Sequence, residues 1–190
     1  MEKIKTISNV FNPQECGEFV KLCNSYKEIM KQPSTTTFGN RPPFEDITFD
    51  LGETGVPNRG YAHQPITEEI LELTNILKNR YNDKYDNNWH QLFNCNLVHY
   101  SAKFPRGGSR GLHADNPNIP LGVVLIYSWG QARTLAIYRD GKIVGRRQMA
   151  HNSITAMVGQ DFQQVYQHSV EKLPVGLEPG DRWSFNIRYF

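Results

Sequence analysis

Apolar residues recur at helical spacing in two places along the first half of the chain. Cys16, Phe19, Val20 and Cys23 stand at offsets 0, 3, 4 and 7, one face of an α-helix. Asn12-Pro13-Gln14-Glu15 just ahead of them supplies an N-cap, a proline at the first helical position and an acidic residue at N3. Ile66, Ile70, Leu73, Leu77 and Tyr81, at offsets 0, 4, 7, 11 and 15, predict a second helix. Residues 31–65 between them are rich in Pro, Gly, Thr and Asn and predict loops with one or two short strands.

From residue 93 the character changes to short strands. Runs at 93–100, 111–116, 121–128, 133–139, 142–148, 153–158, 164–170 and 182–189 predict eight of them. Asp140-Gly141, between two of these runs, is a strong two-residue hairpin signal. Short strands with tight connections predict a barrel or double-sheet jelly roll. The expected class is α+β, one domain over residues 1–190: a helical and loop-rich extension at 1–90 and a β core at 91–190.

Composition narrows the setting. A hydrophobic fraction of 38% and an aromatic fraction of 12% suit a packed core and exclude a disordered chain. No apolar run approaches the roughly 18–20 residues of a membrane span. The N-terminal stretch lacks the apolar segment of about 7–15 residues that marks a secretory signal. Cys16, Cys23 and Cys95 form no CxxC pair, and an odd count argues against a disulfide framework, so the two early cysteines are expected as core filling. The expectation is a soluble intracellular protein, not secreted and without a membrane or zinc-finger role. Net charge is +2, but residues 1–100 carry 10 basic and 13 acidic groups while residues 101–190 carry 11 basic and 6 acidic. The second half is therefore the side expected to meet an anionic partner.

Candidate chemistry lies on the predicted strands. Of six histidines, only His113 is followed at i+2 by a carboxylate, in Gly111-Leu112-His113-Ala114-Asp115. On a strand these two positions share a face, so His113 and Asp115 can hold one ion together. His168, on the predicted seventh strand, supplies a third ligand. Two histidines and one carboxylate form the facial triad of non-heme Fe(II), with open positions for a co-substrate and O₂. A His-x-Asp pair alone also arises by chance. Arg182 and Arg188, six apart on the last strand, share a face and would need an anion inside a barrel. A dicarboxylate such as 2-oxoglutarate balances them while its keto-acid end chelates iron. The alternatives are internal Asp or Glu partners, or an exposed face.

In these motifs the chain resembles the AlkB-like Fe(II)/2-oxoglutarate dioxygenases, from about residue 40 to the end. The resemblance rests on His113-x-Asp115, the distal His168 and Arg182-x5-Arg188. It is extended by Phe93-Asn94, Tyr100, Ser128-Trp129-Gly130-x-x-Arg133 and the stretch MVGQDFQQVYQHSVEK. It implies a double-stranded β-helix, with His113, Asp115 and His168 as iron ligands and catalytic centre. It also implies Arg182 on the distal carboxylate of 2-oxoglutarate, Arg188 near the metal end, and Tyr100 and Ser184 as further co-substrate contacts. The implied activity is oxidative demethylation of N-alkylated bases in DNA or RNA: hydroxylation of the alkyl carbon, then collapse to formaldehyde, with succinate and CO₂ from the co-substrate. The chain departs from the family at Val98, where Asn is frequent, and at Asn116-Pro117, where many nucleic-acid demethylases carry a base-contacting carboxylate.

A base drawn from its stack is held between aromatic and apolar groups. The breaker-rich segment 34–64 is the natural lid, with Phe44, Tyr61 and His63 as stacking candidates. Arg110 and Arg133 are further substrate candidates. Lys103, Arg106, Lys142, Arg146 and Arg147 are rim cations for phosphates. The expected partner is nucleic acid bound to a monomer. The alternative readings are the same chemistry on a protein or small molecule, and a non-catalytic binding module. His99 points away from Tyr100 by strand alternation, which sets it apart from the ligands.

Overall fold

The computed structural model describes residues 3–30, 43–50, 62–85, 91–115, 121–159 and 162–190. Its elements run β1 (Ile4–Ser8), α1 (Pro13–Tyr26), β2 (Glu45–Asp50), β3 (Ala62–Pro65), α2 (Glu68–Asn82), β4 (Leu92–Tyr100), β5 (Arg110–His113), β6 (Val123–Gly130), β7 (Arg133–Arg139), β8 (Lys142–Met149), β9 (Ser153–Val158), α3 (Phe162–Val165), β10 (Gln167–Val170) and β11 (Arg182–Tyr189).

The first helix begins where the sequence signals it. The Asn12 side chain accepts from the Glu15 N–H at 3.0 Å, and Glu15 returns a bond to the Asn12 N–H at 2.8 Å. Such a cap stabilises a helix by about 1 kcal/mol. Thr67 caps α2, so Ile66 lies just outside the helix whose face it was expected to begin. Phe19, Leu22 and Cys23 of α1 and Ile70, Leu73, Leu77 and Tyr81 of α2 join one buried cluster with Leu97, Leu125, Phe185 and Ile187 of the strands.

The strands form two sheets. Seven are ordered β1-β9-β6-β11-β4-β2-β3 and four β5-β10-β7-β8. The eight predicted strands are β4 to β11, four in each layer, which gives the double-stranded β-helix. Strand alternation assigns each residue a layer. Leu97 faces the helices, while Val98 joins Val124, Ile126, Leu135, Ile137 and Met157 in the second core between the sheets. The Asp140-Gly141 turn has positive φ at both residues, 51° and 74°, as a type I′ hairpin requires.

Three elements differ from expectation. β1, Ile-Lys-Thr-Ile-Ser, is too short to show a period, and pairing along β9 fixes it as a strand. The strand expected at 164–170 opens with a helical turn, α3, whose Phe162 and Gln163 are buried; β10 starts only at Gln167. The strand expected at 111–116 ends at His113, so Asp115 lies in a bend beyond β5. No described helix is long and apolar enough to cross a membrane.

Candidate active site

The site forms where β5 and β10 pair, with His113 directly opposite His168. Their rings are 4.2 Å apart, tilted by 53°. Asp115 joins them from the bend. Its backbone N–H donates to Gln163 Oε1 at 2.9 Å, and its carboxylate accepts from Arg188 at 2.7 Å. Asp115 Oδ2 is 3.4 Å from His168 Nε2, and one ligand atom from each of the three residues lies within 4.8 Å of the others. Among the described residues this is the one such cluster of His, Cys, Asp and Glu. The bend after β5, rather than a shared strand face, brings Asp115 to the two rings.

The protonation states suit a cation. Desolvation of the ring, then the nearby Arg110 and His168, hold His113 well below the ordinary imidazole value. Burial pushes His168 down to about 4. Burial alone would raise Asp115, but Arg188 and the two imidazoles reverse it and hold the carboxyl well below its usual range. Two neutral imidazoles and one carboxylate form a donor set that fits Fe(II). His113 Nδ1 lies 2.7 Å from Gly111 O, so the Nδ1–H tautomer is held and Nε2 is left for an ion.

Behind the triad, the inner face of β11 carries Arg182, Ser184, Asn186 and Arg188. These stand opposite Tyr100, Val98, Asn96 and Asn94 of β4. Arg188 donates to Asn96 Oδ1 at 3.0 Å and Asn94 Oδ1 at 3.2 Å as well as to Asp115. Arg182 is 1% exposed. It donates to Ser128 Oγ at 2.8 Å, reaches Met149 O at 3.4 Å, and has its guanidinium 5.8 Å from the Tyr100 ring. No carboxylate pairs with it among the described residues, its Nε has no hydrogen-bond partner, and burial holds it down at about 10. A buried guanidinium with neutral hydrogen-bond partners and the like charge of Arg133 nearby is a place for an anion. Burial raises the Tyr100 phenol although three arginines pull the other way, so Tyr100 is a hydrogen-bond donor at neutral pH.

The substrate candidates fare differently. Arg110 lines the pocket that holds the triad and also a groove outside β5, so it stands at the mouth. Arg133, expected as a substrate contact, is buried instead. Its guanidinium donates to the carbonyls of Arg106, Gly107 and Gly108 and clamps the loop before β5. A side chain on Gly107 would collide with it. Phe44, expected to stack on a base, is buried against Tyr100 beneath Arg110; it lies in the bend just ahead of β2 and packs into the core between the sheets. Tyr61, the side chain of His63, Asn116 and Pro117 lie outside the described residues. His99 faces the helix side, stacked on Trp183 at 4.1 Å with Nδ1 3.1 Å from Glu45.

Sequence reasoning passed over Asn96, Asn186 and Gln163. Asn96 and Asn186 could have been found by the strand period that placed Arg182 and Arg188 on one face. Gln163 had no signal, since its role depends on the turn of α3.

No family model and no curated protein matches the chain. Solved structures do. OsALKBH1 superposes with a TM-score of 0.68 at 15% identity, over 99% of this chain and 97% of that one. A prolyl hydroxylase from Trichoplax adhaerens, in complex with a hypoxia inducible factor oxygen degradation domain peptide fragment, gives 0.63 at 15%, over 99% and 83%. An oxidoreductase of the 2OG-Fe(II) oxygenase family from Burkholderia pseudomallei gives 0.63 at 13%, over 99% and 85%. The double-stranded β-helix is thus a fold this chain shares with 2-oxoglutarate/Fe(II) oxygenases, an AlkB homologue among them.

Proposed function

We propose that this chain is an Fe(II)/2-oxoglutarate-dependent oxygenase that removes alkyl groups from bases in DNA or RNA. The observation that carries the oxygenase reading is the His113–Asp115–His168 triad in one cleft, with Arg182, a guanidinium with no carboxylate of its own, buried on the same face of β11 and bonded to Met149, which lines that cleft.

In this reading His113, Asp115 and His168 hold the iron from one side. Arg182 pairs with the distal carboxylate of 2-oxoglutarate, and Ser128 and Tyr100 fix that end by hydrogen bonding. Arg188 holds Asp115 in its ligating orientation while Asn94 and Asn96 fix Arg188 in turn. Bound Fe(II) with 2-oxoglutarate and O₂ supplies the oxidation of an unactivated C–H bond. The protein's share is to keep water from the cleft, orient Asp115 and position the alkyl carbon at the mouth. Oxidation there leaves a hemiaminal, which collapses to formaldehyde and the unmodified base.

The nucleic-acid substrate is supported by the excess of basic residues in the second half and by Arg110 at the mouth. The likeness to a prolyl hydroxylase bound to a peptide favours, as second reading, hydroxylation of a protein side chain. Mass spectrometry of short oligonucleotides carrying 1-methyladenine or 3-methylcytosine, incubated with Fe(II), 2-oxoglutarate and O₂, separates the two. Loss of a methylene mass with wild type and not with His113→Ala supports demethylation. Unchanged oligonucleotides, with succinate still formed, refute the nucleic-acid substrate and leave the protein one.

A further inference from the structure

The three residues of the triad are not held alike. His113 ends β5 directly opposite His168, and its Nδ1 is tied to Gly111 O at 2.7 Å. His168 stands within β10, paired with His113 on one side and with Ile137 of β7 on the other. Sheet pairing therefore fixes both imidazoles. Asp115 has no such ladder, because β5 ends two residues before it. Among the described residues two hydrogen bonds hold it instead. Arg188 donates to the carboxylate at 2.7 Å, and the backbone N–H donates to Gln163 Oε1 at 2.9 Å.

Gln163 reaches the bend from the helical turn α3, five residues before His168. That turn is anchored without it. The Phe162 N–H donates to Gly159 O at 2.9 Å, the Tyr166 N–H donates to Phe162 O at 2.8 Å, and the Phe162 ring is fully buried in the core between the sheets. One segment thus carries both His168 and the support of Asp115.

Stability alone does not account for an amide at this position. Gln163 is 3% exposed, and its Nε2 has no hydrogen-bond partner among the described residues. The side chain satisfies one buried donor, the Asp115 N–H, and leaves another, its own amide nitrogen, without an acceptor. An apolar side chain of similar volume would also leave one orphan, the Asp115 N–H, and would spare the desolvation of a primary amide. What the glutamine adds is the placement of the Asp115 backbone.

Resting on the oxygenase reading above, we infer that Gln163 is a positioning residue of the metal site, acting through Asp115. Its side-chain carbonyl fixes the bend so that the carboxylate stands beside the two imidazoles before an ion arrives, and this raises the affinity of the site for Fe(II). Hydrogen-bond partners behind a metal ligand typically account for about 10–100-fold in metal affinity.

The test is Fe(II) affinity by equilibrium dialysis under argon, per mole of folded protein, with the visible spectrum of the Co(II)-substituted protein as a second readout. Gln163→Leu keeps the volume and removes the acceptor. Gln163→Asn keeps the amide but withdraws it by one methylene, and stands in if the leucine variant does not fold. Either should weaken Fe(II) about 10–100-fold and alter the Co(II) spectrum. Gln163→Glu offers an oxygen to the same N–H in either protonation state, so its Fe(II) affinity should stay within about threefold of wild type. Lowered stability with Fe(II) affinity and the Co(II) spectrum unchanged would make Gln163 a purely structural residue and overturn the inference. A Gln163→Glu variant as weak as Gln163→Leu would overturn it too. Wild type that binds no Fe(II) would overturn the oxygenase reading itself.

Discussion

Replacing Arg182 by Met should make the ligand-free protein more stable while destroying its affinity for 2-oxoglutarate. Burial lowers this guanidinium from its ordinary 12.5 to about 10, a disadvantage of about 3 kcal/mol for keeping the charge in place. Against that stand the bond to Ser128 at 2.8 Å and the longer one to Met149 O at 3.4 Å, together about 1–2 kcal/mol. Methionine fills similar volume without a charge, so the net gain is about 1–2 kcal/mol, in line with replacements of buried ions by apolar groups. For a chain of this size that is a rise of roughly 2–8 °C in Tm. Differential scanning calorimetry of both proteins, with and without 2-oxoglutarate and Fe(II), reads it directly. Wild type should be stabilised by the added ligands and overtake the variant, whose melting should not respond to 2-oxoglutarate. A variant that melts lower than wild type without ligand, yet still responds fully to 2-oxoglutarate, would show that Arg182 is a structural cation and not an anion site.

Asp115→Ala should abolish Fe(II) binding by equilibrium dialysis, because it removes one of three ligands and leaves Arg188 facing the two imidazoles; Fe(II) retained at wild-type affinity would exclude the triad. The metal-free protein should lose stability as pH falls from about 6.5 to about 4. His168 titrates lower when folded than unfolded, so its contribution is full above the unfolded value and is lost as the unfolded chain takes up the proton. His168 alone should account for about 3 kcal/mol of loss by urea unfolding, with His113, also held low in the fold, adding to it, and a flat profile across that window would contradict neutral buried imidazoles. Arg133→Ala should cost about 3 kcal/mol by freeing three carbonyls of the loop before β5, with no change in selectivity among substrates once corrected for folded fraction. A selective loss on oligonucleotides would restore Arg133 as a substrate contact.

The β core was legible because strand alternation and turn chemistry are local properties. The eight strands from β4 to β11 and the Asp140-Gly141 turn needed only nearest neighbours in the chain. The juxtaposition of His113, Asp115 and His168 was legible only in part. The strand period placed His113, but Asp115 arrives through a bend held by Gln163 and Arg188, contacts that no local pattern encodes. Arg133 misled for a similar reason. A cation just after a Ser-x-Gly strand end reads the same whether it faces solvent or caps loop carbonyls, and the choice depends on the 105–108 turn folding beside it. Phe44 could be read as a lid residue because its burial depends on β2, which begins at the next residue, pairing with β4 and bringing the ring against Tyr100.

The most direct test of the central claim is succinate formation from 2-oxoglutarate by the Fe(II)-loaded chain in air, wild type against Asp115→Ala and Arg182→Met. The account predicts succinate from wild type at a rate that rises with an accepted substrate, and none above the protein-free background from either variant. Succinate production that survives Asp115→Ala, or a wild type that never turns 2-oxoglutarate over, would contradict it.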